Sequence, residues 1–325
     1  MSEMRPIRAG GSLLERAAAV YDFQAEFRSI TTTAPAPASP AAVVDAAPLP
    51  LNLPIAAPDE APGIAEMAPQ RDAPPAPLPR RHDGVIDRAL LAAQGLLIPG
   101  AAIGVLAEEF RLVKRQLLLT ARAVNAAEGD RSRTILVCSA NPNEGKTYCS
   151  LNLALSMAAE RETEVLLVDA DFAKPDVMAR LGLAEGPGLL DALANPAIDV
   201  EACIVRTNVP QLSLLPAGSK SNLDTELLAS DRTPALLQQL LDADPRRIVI
   251  FDSPPALAAS PAATLALHVG QIMMVVRADK TSEGDLREAV GLLDGCAHIQ
   301  LVLNAVSYAP GGRRFGSYYG LEEPQ

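Results

Sequence analysis

The sequence contains few aromatic residues and no excess of positive charge. Aromatic side chains make up 3% of the 325 residues, Trp is absent, and 39 acidic residues outnumber 28 basic ones to give a net charge of −11. Proteins that coat nucleic acid use basic surfaces and aromatic stacking, so we expect no nucleic-acid partner, and the charge does not favour an anionic membrane either. Local phosphate binding remains open, because backbone amides, one lysine and a metal ion can provide it.

Cysteines and long apolar segments are also scarce. The four cysteines form no CxxC pair and no metal-ligand spacing, which is typical of reduced thiols in a cytoplasmic protein. The longest nearly uncharged apolar segment near the middle, residues 95–107, has 13 residues and contains Pro99, so it is too short to span a bilayer. Charged residues follow Met1 closely, so we expect no signal peptide. These features predict a soluble cytoplasmic protein.

Proline and alanine are concentrated in one segment and divide the chain. Residues 31–80 hold 13 of the 28 prolines and 14 alanines, a composition that sustains neither helix nor sheet. Upstream, Ser12-Leu13-Leu14-Glu15 has the capping-box pattern and predicts a short helix, either a docking element or a frayed surface helix. We therefore expect four parts: a short helical segment (1–30), a disordered linker (31–83), a folded domain (84–310) and a flexible tail (311–325).

The folded part alternates short apolar segments with helical ones. The predicted strands are Thr134–Ser139, Val165–Asp169, Leu212–Pro216, Arg247–Asp252, Ile272–Val276 and Ile299–Asn304. The predicted helices are Asp87–Leu97, Ala107–Asn125, Lys146–Glu160, Thr225–Leu241 and Glu283–Leu293, of which Ala107–Asn125 carries a basic face (Arg111, Lys114, Arg115, Arg122). Strands that are apolar throughout are buried on both faces, so the pattern predicts an α/β fold with a doubly wound, mainly parallel sheet.

A phosphate-binding loop follows the first predicted strand. Residues 140–147 (Ala-Asn-Pro-Asn-Glu-Gly-Lys-Thr) have P-loop spacing, with Ala140 at the usual first glycine, and they precede a helix. In such a loop backbone N–H groups surround phosphates, Lys146 neutralises their oxygens and the Thr147 hydroxyl binds Mg²⁺. The alternative, an ordinary capped helix entrance, explains the strand–loop–helix context less well. The predicted nucleotide-binding residues of this loop are Asn141, Pro142, Asn143, Glu144, Gly145, Lys146, Thr147 and Tyr148.

Carboxylates end two further strands. Val165–Asp169 is followed by Ala170 and Asp171, and Asp252 ends the strand before Ser-Pro-Pro in a Walker B pattern. Strand ends of a doubly wound sheet open onto the ligand crevice, where Asp252 could hold Mg²⁺. A single such Asp is more often a cap or turn former, but three at one edge with a P-loop are hard to explain as caps. Asn304 is a weaker candidate for reading the nucleotide base, and could equally end a turn. Thr281 and Ser282 look like N-caps of the next helix.

These motifs resemble those of the bacterial tyrosine kinases (BY-kinases) of exopolysaccharide and capsule systems, most of all the autokinases encoded with exosortase-A-type loci. The resemblance covers about residues 84–320 and rests on residues 139–147, 168–175, 212–218 and 250–255 and on Tyr318-Tyr319. It implies a P-loop fold, ATP and Mg²⁺ as cofactors, and autophosphorylation of C-terminal tyrosines that regulates polysaccharide chain length, polymerisation or export. It also implies a homo-oligomer, with a ring as one arrangement, recruited to the inner membrane by a separate chain-length or co-polymerase protein that activates it.

The resemblance assigns roles to individual residues. Lys146, Asp169 and Asp171 match catalytic positions, with Asp169 as candidate base, and Thr147, Asp171 and Asp252 match the metal site. Tyr318 and Tyr319 match the phosphoacceptors. The residues that match the oligomerisation element Glu-x-x-Arg-x-x-Arg are Glu108, Arg111 and Lys114, for which a solvated charged helix face remains the alternative.

The sequence departs from the family pattern at Asn143, usually Gly, at Ala173, usually Arg, and at Lys114, usually Arg. Asn tolerates the left-handed conformation, so we expect the loop to keep its shape. Two other functions stay open. One is a Min/Par-type ATPase switch, although that type has an extra lysine early in the P-loop and residues 139–145 contain none. The other is a non-catalytic nucleotide-dependent scaffold.

Overall fold

The computed structural model describes residues 84–306. The expectations for segment 1–30, the linker 31–83 and the tail 311–325 with Tyr318 and Tyr319 therefore lie outside the described residues.

A seven-stranded sheet forms the centre of the fold, with strand order β3-β4-β2-β5-β1-β6-β7. The strands are β1 (Thr134–Ser139), β2 (Glu164–Asp169), β3 (Val205–Arg206), β4 (Leu212–Leu215), β5 (Arg247–Asp252), β6 (Gln271–Arg277) and β7 (Ile299–Asn304). All neighbouring strands are parallel except β3 and β4. The predicted doubly wound, mainly parallel sheet is confirmed. β1, the strand that leads into the P-loop, is an interior strand between β5 and β6.

Helices cover both faces of the sheet. They are α1 (Arg88–Ala93), α2 (Val105–Glu128), α3 (Lys146–Met157), α4 (Val177–Arg180), α5 (Leu189–Ala194), α6 (Asp224–Leu228), α7 (Arg232–Asp242), α8 (Pro261–Ala266) and α9 (Glu283–Leu292), with short 3-10 turns at Gly129–Arg133 and Val200–Cys203. Helices α1 to α4 contribute to one apolar core and α5 to α9 to the other. Within residues 84–306, no helix combines the length and apolar character that a bilayer span requires.

The strands form because their side chains find apolar partners on both faces. Every residue of β1 is buried; Ile135 and Val137 pack into one core and Leu136 and Cys138 into the other. Such strands read as continuous apolar segments, which is why their positions could be predicted. Parallel pairing then brings the carboxyl ends of β1, β2 and β5 to one edge of the sheet, where Asp169 lies beside Asp252 in register.

Some predicted bounds were wrong. Helix Thr225–Leu241 is two helices, α6 and α7, with a break at residues 229–231. Pro234 explains the break, because proline lacks the N–H that a continuous helix needs and is tolerated only in a first turn, which is where it lies in α7. Helix Asp87–Leu97 is shorter, Arg88–Ala93, and ends before Gly95, which has a positive φ of 66°.

Candidate nucleotide-binding site

The P-loop lies between β1 and α3 and contains two residues in the left-handed region. Asn143 has φ 62° and Gly145 has φ 99°. Asn143 therefore adopts the conformation expected of it. At Gly145 space is limiting as well, because a Cβ built there would lie 2.1 Å from Asn304 Nδ2. Gly145 is therefore required for both its φ and the close approach of Asn304.

Helix α3 begins at the end of this loop and makes its amino terminus an anion site. Gly145 is the N-cap, and Lys146 and Thr147 are the first helical residues. Backbone N–H groups in a first turn have no partner within the helix, and the helix dipole is positive there, so a phosphate fits this position. Lys146, of which 7% is exposed, adds a full positive charge near Asp171 and Asp252.

Asp252 is buried at the end of β5, directly beneath the P-loop helix. Its Oδ1 accepts a hydrogen bond from Ser150 Oγ of α3 at 2.8 Å, and its carboxylate also accepts one from the Thr147 hydroxyl. Burial raises the pKa of Asp252 to about 6, although both hydroxyls and Lys146 oppose the rise. The Walker B carboxylate and the P-loop hydroxyl are thus in contact.

Asp169 and Asp171 follow β2 but have different surroundings. Asp169 is fully buried, and its two oxygens accept hydrogen bonds from the backbone N–H groups of Asp171, Asp176 and Val177 at 3.0–3.2 Å. Burial and the negative charge of Asp252 raise the pKa of Asp169 to about 8. Asp171 is only partly buried; burial raises its pKa too, against the opposing charge of Lys146. Asp169 holds the loop in shape, whereas Asp171 is the accessible carboxylate.

The predicted Mg²⁺ residues have the donor atoms that this ion prefers. Magnesium typically takes one or two carboxylates, with phosphate and water oxygens completing its shell. The Thr147 hydroxyl and the Asp252 carboxylate are already in contact, and Asp171 lies near the same lysine. In the described part of the chain no group of three or more His, Cys, Asp or Glu side chains could hold a metal by itself. The residues therefore fit Mg²⁺ that arrives with a nucleotide rather than an all-protein metal cage.

Not every predicted nucleotide-binding side chain faces the phosphate position. Tyr148 donates its hydroxyl to the Gly95 carbonyl at 2.9 Å, so its side chain is directed towards the segment before α2. The Glu144 side chain is 3% exposed and bonds within the protein, leaving its backbone for a phosphate. Asn304 donates to the Glu144 carbonyl at 2.9 Å and so contacts the P-loop itself. Asn141 Nδ2 donates to Asp285 Oδ2 at 2.9 Å, and Pro142 lies in the turn of the loop.

The predicted oligomerisation element divides into two environments. Glu108 and Arg111 form an i,i+3 ion pair at 2.8 Å on the exposed side of α2. Lys114 is 7% exposed, and its Nζ donates to the Ser156 carbonyl at 3.1 Å and to Glu160 Oε1 at 2.6 Å. Lys114 thus lies on the same side of α2 as Arg111, Arg115 and Arg122, as predicted, but it is buried and only the three arginines are exposed. Lys114 ties α2 to the carboxyl end of α3.

Several residues around the P-loop were not predicted to belong to the site. Thr281 was expected to be a helix cap, but its hydroxyl donates to Glu144 Oε1, and Ser282 caps α9 instead. Arg277 Nη1 donates to the Asn143 carbonyl at 2.8 Å. Both lie at the carboxyl end of β6, next to β1 in the sheet, so strand order could have indicated them.

Comparisons with known proteins identify the family. A family model described as an AAA domain matches residues 132–286. The tyrosine-protein kinase YwqD of Bacillus subtilis is 30% identical over 174 residues, which cover 53% of this chain and 72% of YwqD. The EpsB protein of Ralstonia nicotianae is 31% identical over 200 residues, 60% of this chain but 26% of EpsB. The chain thus spans about a quarter of the length of EpsB and similar curated relatives.

Solved structures show the same fold. The kinase domain of the Escherichia coli tyrosine kinase ETK superposes with a TM-score of 0.54 at 23% identity, over 70% of this chain and 92% of that domain. The chimerical protein CapA2B2 superposes with a TM-score of 0.56 at 24% identity, over 69% of this chain and 94% of the chimera. Given the identity to YwqD over most of that protein's length, this chain belongs to the bacterial tyrosine kinase family.

Proposed function

We propose that this protein is an ATP-dependent tyrosine autokinase that phosphorylates its own C-terminal tyrosines in trans and acts in exopolysaccharide polymerisation or export. The observation that carries the proposal is the meeting of Lys146, Thr147, Asp171 and Asp252 at one edge of the sheet. Phosphoryl transfer relies almost entirely on positioning and on stabilising charge, and this group supplies one cation and three oxygen donors.

Each residue has a distinct part in the proposed reaction. The first-turn N–H groups of α3 and Lys146 bind phosphate oxygens, while Thr147, Asp171 and Asp252 would hold Mg²⁺. Bound Mg²⁺ would screen the charge of the phosphates. The tyrosine oxygen bonds to the γ-phosphorus as the bond to ADP breaks, and the hydroxyl proton passes to a carboxylate. Asp169 is the proposed base from the family resemblance, and its pKa of about 8 supports that role.

The proposed acceptors are Tyr318 and Tyr319, which follow Arg313-Arg314-Phe315-Gly316 in the sequence. The basic pair suits the acidic edge that carries Asp169, Asp171 and Asp252. Each phosphate adds a charge of about −1.5 to −2 near neutral pH. We therefore propose that phosphorylated tails are repelled from the site of the neighbouring copy, which loosens the oligomer.

Oligomerisation and membrane recruitment are part of the same proposal. The exposed Glu108–Arg111 pair on α2 lies near the exposed apolar side chains of Leu112 and Leu119, which suits contact with a second copy of this chain. A separate membrane chain-length protein is proposed as the activator that brings the kinase to the inner membrane.

The test begins with purified protein incubated with Mg·ATP and probed for phosphotyrosine. Label is expected on the wild type and not on Lys146→Met, because the substitution removes the charge that stabilises the phosphate oxygens. Circular dichroism should show that Lys146→Met is folded. Full labelling of a well-folded Lys146→Met protein would reject the assigned P-loop.

A mixing experiment tests transfer between chains. Lys146→Met protein is combined with an active Tyr318→Phe/Tyr319→Phe protein, and label is expected on the Lys146→Met chain alone. Strong label on the double-Phe chain would move the acceptor to another tyrosine such as Tyr308. Nucleotide binding without any label would favour the scaffold function, which Ala173 at a position usually occupied by Arg leaves open.

A further inference from the structure

The loop between β6 and α9 holds the P-loop through the Thr281 hydroxyl. Thr281 Oγ1 accepts a hydrogen bond from the Arg277 backbone N–H at 2.9 Å and donates its own proton to Glu144 Oε1. The Arg277 N–H can only donate, so Thr281 Oγ1 accepts there and its own proton is left for the Glu144 carboxylate. Thr281 therefore links β6 to the P-loop by one defined chain of hydrogen bonds.

Glu144 connects Thr281 to the start of the P-loop. Its second oxygen, Oε2, accepts from the Asn141 backbone N–H at 3.0 Å, and the side chain is 3% exposed. The carboxylate thus joins Asn141 to Glu144 across the turn that contains Asn143 at φ 62°. A conformation of this kind persists only where its surroundings hold it in place.

Two further contacts join the same pair of segments. Arg277 Nη1 donates to the Asn143 carbonyl at 2.8 Å, and Asn141 Nδ2 donates to Asp285 Oδ2 at 2.9 Å. They join the β6–α9 region to the P-loop at Asn143 and at Asn141. Arg277, Thr281 and Asp285 lie outside the Walker motifs, each more than 130 positions along the sequence from its P-loop partner.

We propose that Thr281 is a positioning residue that, through Glu144, keeps the P-loop in its phosphate-binding conformation; this inference rests on the nucleotide-dependent function proposed above. A preformed loop loses little conformational freedom when it binds its ligand, whereas a loosened loop must be ordered at that moment. Thr281 therefore sets nucleotide affinity. It does not touch the transferred phosphoryl group, so turnover at saturating ATP depends on it far less.

The experiment compares three variants of the full chain with the wild type. A fluorescent ADP analogue with Mg²⁺ is the probe for the dissociation constant, and thermal unfolding reports stability. Thr281→Val, which has the same shape without the hydroxyl, should raise the dissociation constant about tenfold, as expected for a lost hydrogen bond to a charged group. Thr281→Ser keeps the hydroxyl and should stay within about twofold of the wild type.

Thr207→Val is the matched control: it makes the same substitution just after β3, at the edge of the sheet opposite the P-loop. The Thr207 hydroxyl donates to the Leu212 carbonyl at 2.9 Å and accepts from the Val209 N–H at 3.1 Å. Its loss should lower the melting temperature and leave the nucleotide dissociation constant unchanged. The Thr281→Val variant should show the opposite pattern, with KM for ATP raised and kcat largely kept.

Equal affinities of Thr281→Val and the wild type would overturn the inference while the proposed function stands. An equal loss of nucleotide affinity in Thr281→Ser and Thr281→Val would overturn it as well, because the effect would then not depend on the hydroxyl. Should Thr281→Val fold poorly, Glu144→Gln tests the link alone: it replaces one acceptor oxygen and should weaken nucleotide binding, and wild-type affinity in this variant would overturn the inference. Where both single variants fold, the double variant should bind no more weakly than either one, and additive effects would contradict the link. A wild type that binds no nucleotide would remove the proposed function and the inference together.

Discussion

Asp252 illustrates at the scale of a single residue how a site for phosphate chemistry lowers stability. Its pKa is about 6 in the folded protein and about 3.9 in an unfolded chain, so between these values the folded state retains a proton that the unfolded state has lost. Protonated Asp252 therefore contributes its full stabilisation of the folded state below pH 4, and this contribution is lost as the pH rises through 6. Burial of the carboxylate is the physical cause.

We predict that Asp252→Asn reduces the pH dependence of stability in the metal-free protein. Between pH 5 and pH 8 the free energy of unfolding of the wild type should fall by about 1 kcal/mol more than that of the variant. Urea unfolding in the presence of a chelator measures the free energy of unfolding of the wild type and of Asp252→Asn at each pH. The control is Asp244→Asn, because the pKa of Asp244 is lowered by its hydrogen bond to Arg246. A variant as pH-dependent as the wild type would show that Asp252 is not the group that titrates.

Asp169 and Asp171 can be separated by measuring stability and activity together. Asp171→Asn should abolish metal-dependent autophosphorylation with little effect on folding, because Asp171 is partly exposed and its carboxylate accepts one hydrogen bond, from the Lys174 N–H at 3.1 Å, that an amide oxygen can also accept. Asp169→Asn should lose activity and also about 1–3 kcal/mol of stability, because an amide cannot accept all three backbone hydrogen bonds. Normal turnover in a folded Asp169→Asn protein would exclude Asp169 as the base.

At the scale of elements, one arginine joins strand β5 to three other segments. Arg247 is buried; its Nε donates to Glu164 Oε2 of β2 at 2.8 Å, and its Nη1 donates to Glu201 and to the Leu240 carbonyl. Arg247→Met should lower the free energy of unfolding by about 3 kcal/mol, because it leaves two carboxylates without their partner. Chemical denaturation measures the loss.

The neighbouring residue provides the control for this prediction. Arg246 is exposed and pairs with Asp244 at 2.7 Å, and water screens such a pair, so Arg246→Met should change stability far less than Arg247→Met. Similar losses of unfolding free energy in Arg246→Met and Arg247→Met would mean that burial does not strengthen the ion pairs of Arg247.

The elements differ in how far the sequence determines them. β1, β5 and β7 have the predicted bounds because apolar composition and sharp polar ends mark them locally. β3 has two residues, too few for a pattern, and forms only through its pairing with β4. The contacts of Thr281 and Lys114 could not be predicted, because each depends on a partner brought near by strand order or helix packing. Motif residues were predictable and the residues that support them were not.

At the scale of the molecule, the first described residues already belong to the fold. The Gly84 N–H donates to the Arg206 carbonyl at 2.6 Å, and Ile86 is 3% exposed. A chain that starts at residue 80 should therefore keep wild-type autophosphorylation and stability, whereas a chain that starts at residue 95 loses α1 and should unfold at lower urea concentration. Phosphotyrosine and urea assays on both truncations test this. Lost activity in the longer one would show that the upstream segment contributes to the site.

The position of β1 between β5 and β6 also determines when the protein can become active during its synthesis. β1 ends at residue 139, but its partner β5 ends at residue 252 and its other partner β6 follows still later. At about 5–20 residues per second a ribosome needs roughly 6–23 s to add the intervening residues. Throughout that interval the emerging P-loop lacks both neighbouring strands, so a nascent chain would expose apolar β1 to chaperones before it could bind any nucleotide.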